Sequence, residues 1–200
     1  RGLAEWLTAK DNPLVARVFV NRVWQQHFGT GIVKTVDDFG SQGEWPLNPA
    51  LLDYLAVDYI QSGWSVKRLN RLIVTSAAFR QSSRITKAKL AKDPENRLLA
   101  RGPRYRLDAE VIRDKALAAG GLLVRQIGGR GFKPYQPDGL WEGASDPASS
   151  THCYVRDRDQ SIYRRSLYLC WKRTSPPPGM VTFDAPLRDA CTVKRIRTKT

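Results

Sequence analysis

Residues 20–44, VNRVWQQHFGTGIVKTVDDFGSQGE, decide the fold because a helix rich in large apolar side chains passes directly into a long, glycine-punctuated loop. The helical pattern extends back to residues 11–13, Asp-Asn-Pro, which are typical of a polar cap followed by proline in the first turn. Gly29 follows Phe28, as glycine often does just past a helix C-terminus. We therefore predict a central, largely buried helix and a long loop over residues 29–47 that is ordered by its own packing or by function.

Helical spacing of apolar residues continues after this loop. Asn48-Pro49 begins a second helix that runs to about residue 62, and Ser65 caps a third one. Residues 82–92 are polar and basic, which is typical of a surface linker, whereas residues 93–100 and 106–119 have helical patterns. The fold class is therefore mainly α: a helical core over residues 1–125 with about five helices and one long ordered loop.

The composition changes after residue 125. Glycine and proline are frequent from residue 126 to residue 161, which predicts irregular structure. Residues 166–171, SLYLCW, mix apolar and aromatic side chains as a β-strand does, and three prolines at 176–178 favour a polyproline II segment. We predict that residues 126–200 form an irregular, partly β extension packed on the helical core.

The chain carries a large positive charge. Its 33 Lys and Arg against 19 Asp and Glu give a formal net charge of +14 over 200 residues. Such a field favours nucleic acid, acidic glycans or a membrane surface, but a scattered excess also serves solubility and internal ion pairs. No run of eighteen apolar residues is present, so the sequence predicts no membrane span. The ends at Arg1 and KRIRTKT suggest a piece of a larger multidomain protein. We expect such a fragment, by itself, not to be a monodisperse monomer with a sharp cooperative unfolding transition.

Three carboxylates in the long loop are the first candidates for chemistry. Asp37, Asp38 and Glu44 could gather oxygen ligands for a hard cation such as calcium, but EF-hand spacing is missing and loop aspartates commonly cap turns. His27 could act as a general base, although a histidine at a helix C-terminus commonly interacts with the helix dipole. No serine-nucleophile, phosphate-loop or dinucleotide motif accompanies them. We predict no metal site here, and these four residues are only weak catalytic candidates.

Basic pairs beside aromatic residues are the second candidates. Cations interleaved with aromatic rings suit single-stranded nucleic acid or anionic sugars. The alternative is that these cations pair with nearby aspartates and hold an irregular segment in place. No established nucleic-acid-binding motif is present, so we regard nucleic acid as an improbable partner. The anion-binding candidates are Arg164, Arg165, Lys172 and Arg173.

Cysteine spacing limits what the chain can bind. Cys153, Cys170 and Cys191 form no CxxC or CxxCH motif, so this segment does not attach a c-type haem, and we predict no cofactor in it. His152 lies beside Cys153, but the spacings match no common zinc pattern. One disulfide with one free thiol is possible in an oxidising compartment, but the expectation is buried free thiols.

A family resemblance rests on segments spread in order along most of the chain. They are NPLVARVFVNRVWQQHFGTGIV, DDFGSQGE, LLDYLAVDYIQSGWSVKRLNRLIVTSAAFRQSS, DPENRLL, RLDAEVIRD, PYQPDGLWE, YRRSLYLCWKR and FDAPLRDACTVKRIRT. With these segments the chain resembles the planctomycete-specific domain of unknown function found near the C-terminus of large proteins that also carry a cytochrome-c-like domain. The resemblance implies an extracytoplasmic, multidomain parent protein with c-type haem elsewhere in it. It supplies no catalytic residues that can be carried over to this chain.

Three functions are compatible with these observations. The first is an accessory or structural module, without catalytic activity, that packs against sister domains of the same chain. The second is an extracytoplasmic enzyme or binder of acidic polysaccharide with its site near residues 27–44. The third is nucleic-acid binding through the basic pairs.

Overall fold

The computed structural model describes residues 1–187, 191 and 195. In that part of the chain the fold is mainly helical with an irregular remainder, as predicted, and has no β-sheet. The chain divides into two compact units, residues 1–105 and 106–200. This division falls earlier than the composition change at residue 125 on which the sequence-based division rests.

Eight α-helices are present among the described residues, which is more than the five or so predicted because four of them have six residues or fewer. They are α1 (Gly2–Leu7), α2 (Val15–Phe28), α3 (Pro49–Gln61), α4 (Val66–Thr75), α5 (Ala77–Arg80), α6 (Lys87–Lys92), α7 (Ala109–Ala119) and α8 (Pro178–Val181).

The first unit is built around α2, which packs against α3 and α4. Its buried core takes residues from all three helices and from the loop after α2, including Val20, Leu55 and Ile73. Side chains cap the starts of α2, α3 and α4, because the first amides of a helix have no intrahelical partner. Asn12 Oδ1 accepts from the Val15 amide, and Asn48 Oδ1 accepts from the Leu51 amide. The predicted central helix is confirmed.

Tyr105 closes the C-terminal end of α2. Its hydroxyl donates to the carbonyl of Gln26 (2.5 Å) and contacts that of His27 (3.2 Å). Gly29 has φ +86°, and a Cβ there would lie 3.1 Å from the Tyr105 ring. Glycine is therefore required at position 29, because its backbone has a positive φ and because a side chain would meet the Tyr105 ring. The side chain that closes this end of α2 is the distant Tyr105 and not His27.

The helix predicted over residues 93–100 is wrong. The buried carboxylate of Asp93 accepts from the amides of Arg97 (2.6 Å) and Leu98 (2.9 Å), which folds the segment into tight turns. Asn96 and Leu99 have positive φ values, which a helix does not allow. The predicted linker at 82–92 instead contains α6, capped by Thr86.

The second unit depends on α7 and the segment that follows residue 161. Arg113 of α7 donates to the carbonyls of Ile162 (2.5 Å) and Arg164 (2.9 Å), while Asp114 accepts from the amide and hydroxyl of Ser166 (both 2.7 Å). Burial lowers the pKa of the Arg113 guanidinium below its ordinary value. Two adjacent charged side chains thus hold an irregular segment that has few backbone partners of its own.

The β-strand predicted at 166–171 is largely wrong. Ser166–Tyr168 forms a 3-10 helix, and only isolated bridges follow, such as the one between Phe132 and Leu169. The side chain of Phe132 is fully buried and lies under the Arg113 guanidinium, 5.0 Å from ring centroid to Cζ. The segment keeps its place without a sheet because side-chain contacts hold it.

Candidate functional site

Asn21 fixes the beginning of the long loop to α2. Its side chain is 0% exposed and pairs with the backbone of Val33 twice: Nδ2 donates to the carbonyl and Oδ1 accepts from the amide, both at 2.9 Å. Gly31 lies against this amide group, so that a Cβ there would be 2.7 Å from Asn21 Nδ2 and 2.4 Å from the Val33 carbonyl. The loop therefore requires both an asparagine inside the helix and a glycine beside it.

Thr35 holds the second half of the loop. Its hydroxyl donates to the carbonyl of Asp38 (2.8 Å) and accepts from the amide of Glu44 (2.9 Å). The base of the loop is closed where the amide of Leu47 donates to the carbonyl of Ile32 (3.2 Å). One hydroxyl and one backbone bond thus give a long irregular segment a fixed shape.

The loop carboxylates make contacts that stabilise the loop itself. Asp38 Oδ1 accepts from the Gly40 amide (2.7 Å), which is the turn contact expected of a loop aspartate. Glu44 pairs with Arg97 Nη1 at 3.5 Å, and Asp37 is exposed. Among the described residues no group of three His, Cys, Asp or Glu is suited to hold a metal ion.

His27 lies on the side of α2 that faces α4 and α5. Its Nε2 is 2.7 Å from Asn70 Oδ1, and its ring packs edge-on against Phe79 with centroids 5.6 Å apart. No hydrogen bond or ion pair joins His27 to Asp38 or Glu44 in the described part of the chain. In this structure His27 therefore forms no proton-transfer pair with either Asp38 or Glu44.

An open pocket lies beside the loop, and the sequence analysis did not identify it. It has a volume of about 640 Å³ and is bounded by the 39–46 part of the loop and by the first turns of α2 and α3. Trp45 is 90% exposed at this pocket. Arg17 Nε donates to Asp53 Oδ1 at 2.6 Å on its wall. No sequence pattern indicated this pocket, because the exposure of Trp45 is visible only in the structure and the ion pair joins residues of two separate helices.

Two of the four anion-binding candidates bind other groups of the second unit, Arg164 as a buried side chain and Lys172 as a half-buried one. Arg164 is 3% exposed, donates to the carbonyls of Arg130, Gln126 and Gly128, and stacks on Tyr168. Lys172 Nζ donates to Ser145 Oγ (3.0 Å) and the Thr151 carbonyl (2.8 Å).

The other two candidates, Arg165 and Arg173, are exposed. Among the nearby aspartates, Asp157 pairs with Arg130, and Asp184 with Arg106. The basic pairs therefore leave only two cations for an external anion.

Cys153, Cys170 and Cys191 are free thiols. Cys153 and Cys191 are exposed, so the expectation of buried thiols is wrong for these two. Near Cys170, burial raises the pKa of Tyr154 to about 12, and the Tyr154 hydroxyl donates to the Pro134 carbonyl (2.5 Å). Cys170 and Tyr154 are half-buried within the second unit.

The two units thus define a mainly helical module with a rigid loop, an open pocket and no assembled catalytic group among the described residues. The family model described as PSD1, a protein of unknown function (DUF1553), matches residues 1–200, and the chain belongs to this family. No curated protein matches the chain, and no solved structure matches it either. None of the helices within the described residues has both the length and the apolar character to cross a bilayer.

We expect the Thr35 hydroxyl to contribute measurably to stability. Thr35→Val keeps the shape but removes the partner of two backbone groups, so the free energy of unfolding should fall by about 1–3 kcal/mol. Thr35→Ser retains the hydroxyl and should lose less than half of that. Urea denaturation followed by circular dichroism measures both variants. A smaller loss in Thr35→Val than in Thr35→Ser would show that the methyl group, and not the hydroxyl, is what matters.

Proposed function

We propose that this chain is an accessory module without catalytic activity, part of a larger extracytoplasmic protein, and that it docks onto sister domains of that protein through α1. The observation that carries the proposal is an apolar stripe on α1 that nothing covers within the described residues. Leu3, Trp6 and Leu7 stand at positions i, i+3 and i+4, and Leu3 and Trp6 are 69% and 59% exposed.

The way α1 is held supports docking. Asn12 Nδ2 donates to the Trp6 carbonyl (3.1 Å), which ties the last turn of α1 to the start of α2. A six-residue helix is unstable in isolation. Because α1 is held at its C-terminal end and its apolar side is exposed, a partner surface on that side would stabilise the helix. Contiguous exposed apolar side chains commonly mark protein contacts.

The partners follow from the family resemblance. Proteins that resemble this chain carry further domains, so sister domains of the same chain are the proposed occupants of the α1 stripe. The same resemblance supports an extracytoplasmic location and a c-type haem bound elsewhere in the parent protein. The module itself binds no haem in this proposal, since its cysteines lack the attachment motif.

The contacts of the candidate residues support a role without catalysis. Asp38 and Glu44 are engaged by a backbone amide and an arginine, and His27 by Asn70. An acidic polysaccharide at the loop would meet Glu44 and Asp53 as well as Arg17, which weakens that alternative. Nucleic acid would find only Arg165 and Arg173 exposed among the basic pairs, which is few for phosphate binding.

Hydrogen exchange tests the docking proposal. We expect the backbone amides of residues 2–8 to exchange at least about tenfold more slowly in the full-length native protein than in the 200-residue chain, because docking removes fraying. In the full-length protein the double substitution Leu3→Ser, Trp6→Ser should abolish this difference. Leu167→Ser, which changes a side chain exposed in the second unit, is the control and should leave it intact. Identical exchange of residues 2–8 in both proteins would contradict docking through α1.

A further inference from the structure

We infer that the pocket beside the loop binds a neutral, hydroxyl-rich ligand, namely sugar rings of an uncharged polysaccharide. This inference does not rest on docking through α1, because no residue of α1 lines the pocket. A volume of about 640 Å³ falls in the range of small-molecule sites and accommodates more than one pyranose ring.

The Arg17–Asp53 pair supplies a donor and an acceptor side by side. Arg17 uses Nε on Asp53 Oδ1 and Nη1 on the Pro13 carbonyl (2.6 Å), which leaves Nη2 as a donor without a hydrogen bond to any described residue. Asp53 Oδ2 likewise remains an acceptor. Because each hydroxyl group both donates and accepts, neighbouring hydroxyls of one sugar can satisfy both positions without breaking the ion pair.

The charges of the pocket favour an uncharged ligand. Arg17 is compensated by Asp53 and Glu44 by Arg97, so each charge already has an opposite one nearby. An acidic ligand would have to displace Asp53 from Arg17 and approach Glu44, and a cationic ligand would meet the reverse cost at Arg17. A polyol avoids both costs.

The apolar part of the pocket suits the flat side of a sugar ring. Trp45 presents its indole to solvent, and Phe39 and Pro46 also line the pocket. An indole offers a large, rigid and amphipathic surface, and the C–H face of a pyranose is the complementary apolar side of an otherwise polar molecule. Aromatic stacking on one face and hydrogen bonds at the ring edge together distinguish a sugar from a purely apolar ligand.

The pocket is preformed, since the loop that carries Trp45 is fixed at both ends. Asn21 holds Val33 before it, and the Leu47 amide bonds to the Ile32 carbonyl after it. Between them Thr35 fixes the amide of Glu44, the residue that precedes Trp45. Ordering costs on binding are therefore small, which allows a useful affinity from few contacts.

Titration calorimetry with defined sugars tests the inference. The probes are cellohexaose, xylohexaose and mannohexaose as neutral chains, with polygalacturonate, heparin and hexalysine as charged ones. We expect at least one neutral hexasaccharide to bind with a Kd of about 1 mM or lower. Trp45→Ala should weaken binding about tenfold or more, and Asp53→Asn about threefold to tenfold, because each removes one of the two kinds of contact.

Tyr135→Ala, which removes an exposed aromatic side chain from the second unit, is the matched control and should not change the affinity. Trp45→Ala should keep the wild-type Tm, because its side chain is almost entirely exposed. Binding of none of the neutral chains, unchanged affinity in Trp45→Ala, or tighter binding of any charged probe would overturn the inference.

Discussion

Replacement of Asn21 by leucine should destabilise the first unit by about 2–5 kcal/mol, the largest effect we expect from a single substitution in it. Leucine has a similar size, but it leaves the amide and carbonyl of Val33 buried without partners. Each such group costs about 1–3 kcal/mol when it loses its hydrogen bond away from water. Since small domains are stable by only about 5–15 kcal/mol, the loss is a large part of the total.

Arg22→Leu is the matched control for this substitution. It lies one residue further along α2 but is exposed, so its effect should stay within about 0.5 kcal/mol. Chemical denaturation of both variants, with circular dichroism and tryptophan fluorescence as probes, compares them directly. If Asn21→Leu were as stable as Arg22→Leu, the paired hydrogen bonds to Val33 would not be what holds the loop.

Replacement of Arg164 by methionine should have a similarly large effect on the second unit, about 3–5 kcal/mol. Arg164 donates to carbonyls at three positions of the 126–130 segment, and those carbonyls have no regular secondary structure to engage them. The guanidinium also stacks on Tyr168, with Cζ 3.9 Å from the ring centroid. Methionine replaces the volume of the side chain but none of these hydrogen bonds.

The neighbouring residue provides the control, because Arg165→Met removes the same charge from an exposed position. It should leave the Tm almost unchanged, while Arg164→Met should lower it by at least about 5 °C. Differential scanning calorimetry of the two variants decides between a structural and a surface role. Equal Tm values would contradict the structural role and return Arg164 to the anion-binding candidates.

Helices α2, α3 and α4 were predictable because their signals are local. Polar caps before α2, α3 and α4 and apolar spacing along them require no knowledge of distant residues. The role of Asn21 was not predictable in this way. On the helix it falls in line with Arg17 as part of a polar stripe, and only the fold brings Val33 to its side chain.

Two of the errors, a helix and a strand predicted in the wrong place, have a common physical cause, which is that side-chain contacts replaced regular secondary structure. The 93–100 segment has helical spacing, but the Asp93 carboxylate binds the amides of Arg97 and Leu98 and turns the chain instead. The 166–171 segment has strand-like composition, but Arg113 and Asp114 of α7 engage its backbone. Local sequence patterns do not reveal such partners. The partner side chain is either distant in the sequence or opposes the secondary structure that the local residues favour.

The loop was singled out from the sequence but, apart from Glu44, the residues that line the pocket beside it were not. The loop did prove to border a pocket, yet Trp45, Arg17 and Asp53 were not among the candidates. The carboxylates that were candidates are the ones that the loop uses for its own structure. Acidic residues in a glycine-rich loop thus indicated an ordered loop, whereas the exposure of Trp45 became visible only in the structure.

We expect residues 20–44 to be rigid in solution, because hydrogen bonds of Asn21 and Thr35 hold the loop to α2 and to itself. The exchange rate of the Val33 amide, measured by NMR in the 200-residue chain, tests this most directly. Because that amide donates to a fully buried side chain, we predict that it exchanges as slowly as the Leu55 amide in the middle of α3. Exchange of Val33 at the rate of an unprotected loop amide would contradict the claim.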